Sequence, residues 1–222
     1  MNIDWWTITY ETLLMTLIST VAAYIVGMPL GILLNVTGQR GLHPNKWINV
    51  PLGIIVNFLR SVPCLIMVVL LLPLTRAVMG RGTGEWYTII IPLFFCTFGY
   101  VARTVEQSLS DVDNGELEAA KSMGATDFQL VTKVMMPEAR TSLITGAAVT
   151  AVNVIGYTSF AYNIGAGGLI SEIYSFYTKN TSDFTSSWEF WVMIVIVVVI
   201  IEVIQEGGLY LAKKLDKRRK IK

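Results

Sequence analysis

Asp113-Asn114-Gly115-Glu116-Leu117-Glu118-Ala119-Ala120-Lys121-Ser122-Met123-Gly124-Ala125-Thr126-Asp127-Phe128-Gln129 is a polar island in an otherwise apolar chain. Its punctuation is that of short helices. An Asp/Asn cap precedes Glu116, and the helix it starts is expected to run to about Met123. It closes at Gly124, because glycine takes the left-handed conformation that ends a helix. Thr126 and Gln129 then stand three apart in a capping-box pattern for a second helix. The apolar residues Phe128, Val131, Val134 and Met135 recur at three-to-four spacing and give that helix one greasy face. Pro137 follows, and proline is tolerated in the first turn of a further helix. The expectation is two short capped helices forming a stiff protrusion. An amphipathic loop resting on a membrane surface is the alternative reading of the same pattern.

Working outward from the island, five segments are long and apolar enough to cross a bilayer, which takes about 20 residues. Trp86 to Ala102 precedes it. Leu143 to Tyr162 follows it and is rich in Gly, Ala and Thr, a composition that permits close helix packing in lipid. Toward the N-terminus lie Thr12 to Asn35, with a kink expected at Pro29, and Val50 to Leu74, interrupted by Arg60. Toward the C-terminus, Trp188 to Gln205 carries a dense β-branched run, still read as helix because a lone strand in lipid leaves its backbone unpaired. The expected fold is an all-α membrane protein with five transmembrane helices in a single membrane domain, residues 1–222.

Composition agrees. Of the 222 residues, 53% are apolar and 15% charged, with a mean hydropathy of +0.56. An ordinary soluble domain carries roughly 25% charged residues. A water-soluble globule, a disordered chain, a disulfide scaffold and a nucleic-acid binder are all disfavoured. Cys64 and Cys96 lie inside apolar runs and read as small buried hydrophobes rather than as a bridge or ligand pair. The N-terminus, Met1 to Asp4, has no basic residue, which argues against a cleaved secretory signal.

Basic residues orient the spans, because they collect on the cytosolic side. With the N-terminus outside, the cytosolic segments hold Arg40, Lys46, Arg103, Lys121, Lys133, Arg140 and seven residues of a basic tail, 213–222. The outer segments hold Arg76, Arg81 and Lys179. The expectation is N-out, C-in, with the polar island in the cytosol. Trp5, Trp6, Trp86, Tyr87, Trp188 and Trp191 then all fall at the outer boundary, where amphipathic rings are favoured.

Glu118-Ala119-Ala120-Lys121-Ser122-Met123-Gly124, then nine residues, then Val134-Met135-Met136-Pro137, resembles the EAA loop of ABC-transporter permease subunits. That family's pattern is E-A-A-x-x-x-G, nine residues, I-x-L-P. Val for Ile and Met for Leu are the departures, both volume-conserving. Tyr10-Glu11-Thr12-Leu13, Phe58-Leu59-Arg60-Ser61-Val62-Pro63, Gly156-Tyr157-Thr158-Ser159 and Gly165-Ala166-Gly167-Gly168-Leu169 together resemble the methionine-uptake branch. The resemblance implies a type I importer whose transmembrane core covers about residues 8–203. It implies a homodimer, two cytosolic ATP-binding subunits that carry the ATP and Mg, and an extracytoplasmic substrate-binding protein or lipoprotein. It also implies that Glu118, Ala119, Ala120, Met123, Gly124 and Pro137 belong to the surface that couples to the ATPase. No cofactor is expected in this chain. An osmoprotectant or another amino acid is the alternative substrate.

The chain has no Gly-x-x-x-x-Gly-Lys-[Ser/Thr] loop to cradle phosphates and no His-Glu-x-x-His. Energy is therefore expected from another polypeptide or from an ion gradient. An ion-gradient carrier would show inverted repeats and paired intramembrane acids; neither is found. Polar residues inside spans are candidates for the translocation path: Asn57, Arg60, Ser61, Tyr100, Asn153, Tyr157 and Ser159. Each also has a plainer reading, a bond to a neighbouring helix or to its own backbone. For Arg60 the alternatives are a cavity-facing cation and a side chain that snorkels to headgroups. His43 reads as solvated, Glu202 and Glu206 as interfacial carboxylates, and Met123, Met135 and Met136 as packing surface.

Overall fold

The computed structural model describes residues 4–179 and 184–216, and every regular element among them is helical. Helix α1, Trp5–Thr37, starts at Asp4, whose carboxylate accepts from the Thr7 amide. The Thr7 hydroxyl and amide hold that carboxyl below the ordinary carboxylate range. At 33 residues α1 is about 50 Å long, more than the ~30 Å of a bilayer core. It runs through Pro29 without interruption.

The second span departs from the expected single rod. It is α2, Lys46–Ser61, then α3, Cys64–Leu70, with a bend of 100° between them, then α4, Leu72–Met79. Pro63 explains the break. Its ring disfavours helical backbone at the preceding residue, and Val62 is accordingly extended (φ −76, ψ 121). Among the described residues four other helical runs are long and apolar enough to cross a membrane, Trp5–Thr37, Trp86–Ser110, Asp127–Ile164 and Trp188–Leu215, and the total is five when the bent pair counts as one span.

A tight turn at Trp86–Ile89 leads into α5, Ile90–Ser110, the central element, which packs on α1, α2, α3 and α8. Its tightest partner is α1. A Cβ on Gly27 would stand 2.8 Å from the Phe98 carbonyl, and one on Gly31 would meet Val105 at 2.7 Å. The two glycines, four residues apart, let the backbones close up. Lipid offers no hydrophobic drive to helix association, so this packing supplies the adhesion. Buried threonines bond to their own helices: Thr16 to Thr12 O at 2.8 Å, Thr97 to Leu93 O at 2.6 Å and Thr150 to Gly146 O at 2.7 Å. These three hydroxyl donors are thus satisfied within the core.

After α5 comes the polar island: α6, Asn114–Ser122, and α7, Asp127–Gln129. The second short helix is not separate, as the sequence suggested. It continues through a π-helical turn, Leu130–Met135, into α8, Met136–Tyr157, and a 3-10 turn, Thr158–Ile164, a run of 38 residues. Proline has no amide to donate, and just ahead of Pro137 the Met136 amide reaches back five residues to Val131 O, widening the helix by one residue. Helix α9, Leu169–Lys179, and α10, Trp188–Leu215, complete the order. Trp5 at the start of α1 and Trp188 at the start of α10 pair at 6.0 Å. Lys213 and Lys214 close α10; the rest of the expected basic tail, 217–222, lies outside the described residues.

Candidate functional site

The caps of the protrusion are those its sequence predicts. The Asp113 carboxylate accepts from the Gly115 amide at 2.8 Å and caps α6. At the other end Gly124 takes φ +84. Its amide donates to Lys121 O at 2.9 Å, and the Ala125 amide to Ala120 O at 3.1 Å. This pair of bonds closes the helix on a residue that pays little for left-handed backbone. The Thr126 amide donates to Gln129 Oε1 at 3.0 Å and the Gln129 amide to Thr126 Oγ1 at 3.4 Å, the reciprocal capping box.

One face of α6 holds the protrusion to the bundle: Leu117 packs into the cluster of Leu109, Val112 and Met135, and Ala120 is buried. The other face is bare. Glu118, Ala119, Lys121 and Ser122 are exposed, Met123 is 82% exposed and Phe128 77%. Ala120, Met123, Gly124 and Ala125 edge a shallow depression of about 250 Å³ with Gln129 and Lys133. The sequence placed Phe128 on the apolar inner face; it points outward, and Leu130, fully buried, takes the core position instead. His43, read as merely solvated, has its Nε2 2.7 Å from Asp127 Oδ2 and ties the α1–α2 loop to α7. Pro137 is exposed, in the first turn of α8.

The polar residues of the spans divide into three places. Asn57, Arg60 and Ser61 end α2 beside the bend. Asn57 is not free: its Oδ1 accepts from Arg103 Nε at 3.2 Å and Nη2 at 3.0 Å. The same guanidinium reaches Gly53 O and pairs with Glu106. Sequence reasoning counted Arg103 only as a flanking charge; its spacing to Glu106, one helical turn, was the available signal. Ser61 donates to Asn57 O at 2.8 Å. Arg60 is exposed, has no ion-pair partner among the described residues, and lays its stem across Gly99, where a Cβ would meet Arg60 Cγ at 3.4 Å. Tyr100 lines a separate cavity of about 750 Å³ between α5 and α8, with Thr104, Ser108, Ser142 and Thr145. Asn153, Tyr157 and Ser159 are half-buried toward the far end of span four. Cys64 and Cys96, expected to be unrelated hydrophobes, are adjacent: both are free, with their sulfurs 2.7 Å apart.

Residues 27–216, which include the protrusion, the bend and the cavity, match the family described as binding-protein-dependent transport system inner membrane component. The chain belongs to this family. It is 37% identical to the probable D-methionine transport system permease protein MetI of Haemophilus influenzae over 96% of this chain and 97% of that one. It is 42% identical to the protein of the same description from Pasteurella multocida over 72% and 74% of the two chains. Among solved structures it is similar to an inward-facing conformation of the MetNI methionine ABC transporter, with a TM-score of 0.87 and 32% identity over 94% of each chain. An amino acid ABC transporter solved with histidines shares the fold, with a TM-score of 0.73 at 16% identity. As an inner membrane transport component, the chain is a multi-pass membrane protein and a permease subunit.

Proposed function

We propose that this permease component carries methionine, or a close analogue, into the cell as one of two copies around a shared pathway. Two cytosolic subunits bind and hydrolyse ATP, and an external receptor delivers the substrate. The names of the relatives, one covering nearly the whole chain, support methionine over an osmoprotectant. The N-out, C-in orientation follows from the basic residues and puts α6 in the cytosol.

The observation that carries this reading is the protrusion, a capped helix seated on the start of a 38-residue helical run. In this reading Ala119, Met123 and Gly124 face the ATPase, Glu118 borders the contact, and Ala120 and Pro137 hold the protrusion in place. When the partner closes on ATP, it presses α6, and span four moves as one piece. Tyr100 lines a path for substrate, and Arg60 is the cation available to a substrate carboxylate. Asn153, Tyr157 and Ser159 continue the path outward, while Asn57 and Ser61 shape the bend beside Arg60.

The test is uptake and ATPase activity of the assembled transporter in proteoliposomes with Gly124→Val. A β-branched residue opposes φ +84, so α6 loses its exit turn. Expected is intact membrane insertion with uptake uncoupled from ATP hydrolysis; unchanged receptor-stimulated transport contradicts the coupling role. Uptake competition among methionine, other amino acids and betaines identifies the substrate.

A further inference from the structure

We propose that Glu11 and Thr12 are the positioning residues of an outer latch, which clasps the glycine turn after span four to the start of span one and carries receptor engagement into the bundle. The proposal rests on the transport reading above. Gly165, Gly167 and Gly168 all have positive φ (63°, 75° and 87°), and with Ala166 between them this turn has no polar side chain with which to cap α9. The first amides of a helix nevertheless need acceptors. They come from 157 residues earlier in the chain: Glu11 Oε2 accepts from the Gly168 amide at 3.0 Å and Thr12 Oγ1 from the Leu169 amide at 2.7 Å. The buried Thr12 hydroxyl donates in turn to Ile8 O at 2.9 Å, so both its functions are used.

The fit leaves no slack. A Cβ on Gly167 would stand 2.6 Å from Glu11 Oε2, and one on Gly168 3.1 Å from Thr12 Oγ1. A third segment joins at the same place, because the Gly84 amide in the α4–α5 loop donates to Ile164 O at 2.9 Å. Beyond the turn, α9 packs Leu169 and Phe176 against Trp5, Ile8 and Met193 of α1 and α10. On its open side Tyr174 stacks beside Tyr162 at 5.4 Å, and the Tyr162 hydroxyl and Thr178 are bonded. In the N-out orientation this is an exposed aromatic ledge on the receptor side, held to span one by two hydrogen bonds and by the packing of Leu169 and Phe176. A carboxylate at the end of an apolar helix is costly unless it is used; here it fixes where the ledge sits.

The test uses the assembled transporter with its receptor, in wild type, Glu11→Ala, Glu11→Gln and Gly167→Ala forms. Glu11→Gln keeps an acceptor oxygen and is expected within about twofold of wild type. Glu11→Ala is expected to keep subunit stoichiometry and receptor-free ATPase activity while losing receptor stimulation and uptake by about tenfold, the scale of a lost charge-assisted hydrogen bond. Gly167→Ala, whose Cβ would strike Glu11 and whose φ of +75° opposes a side chain, is expected to copy that defect, and wild-type uptake by this variant overturns the latch. Hydrogen exchange at the Gly168 and Leu169 amides reads the latch independently of transport. Slow exchange in wild type that becomes fast in Glu11→Ala is expected, and equal exchange in the two overturns the proposal. A wild-type transporter that takes up no methionine contradicts the transport reading, whereas normal uptake by Glu11→Ala contradicts the latch alone.

Discussion

Arg103 on α5 spends two donors on one oxygen of Asn57 on α2, at 3.2 and 3.0 Å, and a third on Gly53 O at 3.4 Å. Glu106, one turn further along α5, balances its charge. The bracket holds the half of span two that precedes the bend against α5. Asn57→Ala removes the Oδ1 acceptor and leaves the guanidinium with Gly53 O and Glu106. It is expected to destabilise the purified protein by roughly 1–3 kcal/mol, read as a lower thermal-unfolding midpoint in detergent. Asn57→Asp keeps the acceptor and should melt near wild type. Equal midpoints for Asn57→Ala and wild type would remove the bracket.

Ala119 and Ala120 are neighbours in sequence and opposites in setting: the first is exposed, the second buried against its own chain. Ala119→Trp is expected to leave folding untouched and to abolish co-purification of the ATPase subunit. Ala120→Trp overpacks the seat of the helix and should cost about 1–3 kcal/mol of stability in the isolated chain. If both variants melt like wild type and both retain the ATPase, neither position is at a contact.

Cys64 opens α3 and Cys96 sits midway along α5, with sulfurs 2.7 Å apart. Treatment with diamide, which accepts the two electrons and two protons, is expected to join them. Maleimide labelling should then lose both thiols and dithiothreitol should restore them; Cys64→Ala should leave Cys96 reactive throughout. Because the disulfide would staple the far side of the bend to α5, uptake should fall on oxidation and recover on reduction. Undiminished labelling after diamide would show that the thiols do not meet.

Gly27 and Gly207 are both helical glycines with opposite surroundings. A Cβ at Gly27 meets Phe98 O and Val101 at 2.8 Å, while one at Gly207 meets nothing within 4 Å. Gly27→Ala should therefore destabilise by about 1–3 kcal/mol through forced separation of α1 and α5. Gly207→Ala should be neutral or gain up to about 1 kcal/mol from helix propensity. The ranking of the two melting points decides this; the reverse order contradicts the packing described.

Local structure was legible where a local cause sets it. Asp113, Gly124, Thr126 and Gln129 each act within a few residues, and each end of the protrusion lies within two residues of where its sequence puts it. The apolar lengths likewise mark the spans. Direction was not legible. Hydropathy averages composition over a window and is blind to the 100° turn at Val62-Pro63, while Pro29 and Pro51 sit inside unbroken helices. Whether a proline breaks a span depends on what its neighbours pack against. The site suffered most from this limit. Arg103 with Asn57, Cys64 with Cys96, and Glu11 with Gly168 are 46, 32 and 157 residues apart. Such pairings depend on how the spans are rotated and staggered against one another, and no single segment encodes that.

The 38-residue run from Asp127 to Ile164 gives the molecule a lever arm of about 57 Å at 1.5 Å per residue. Pivoted at its midpoint, a swing of about 5° displaces each tip by ~2.5 Å, close to the reach of a hydrogen bond. The upper tip runs directly into the turn that Glu11 clasps. A nudge too small to repack the bundle's middle is thus large enough, at the opposite face, to stretch or release the two hydrogen bonds from Glu11 and Thr12.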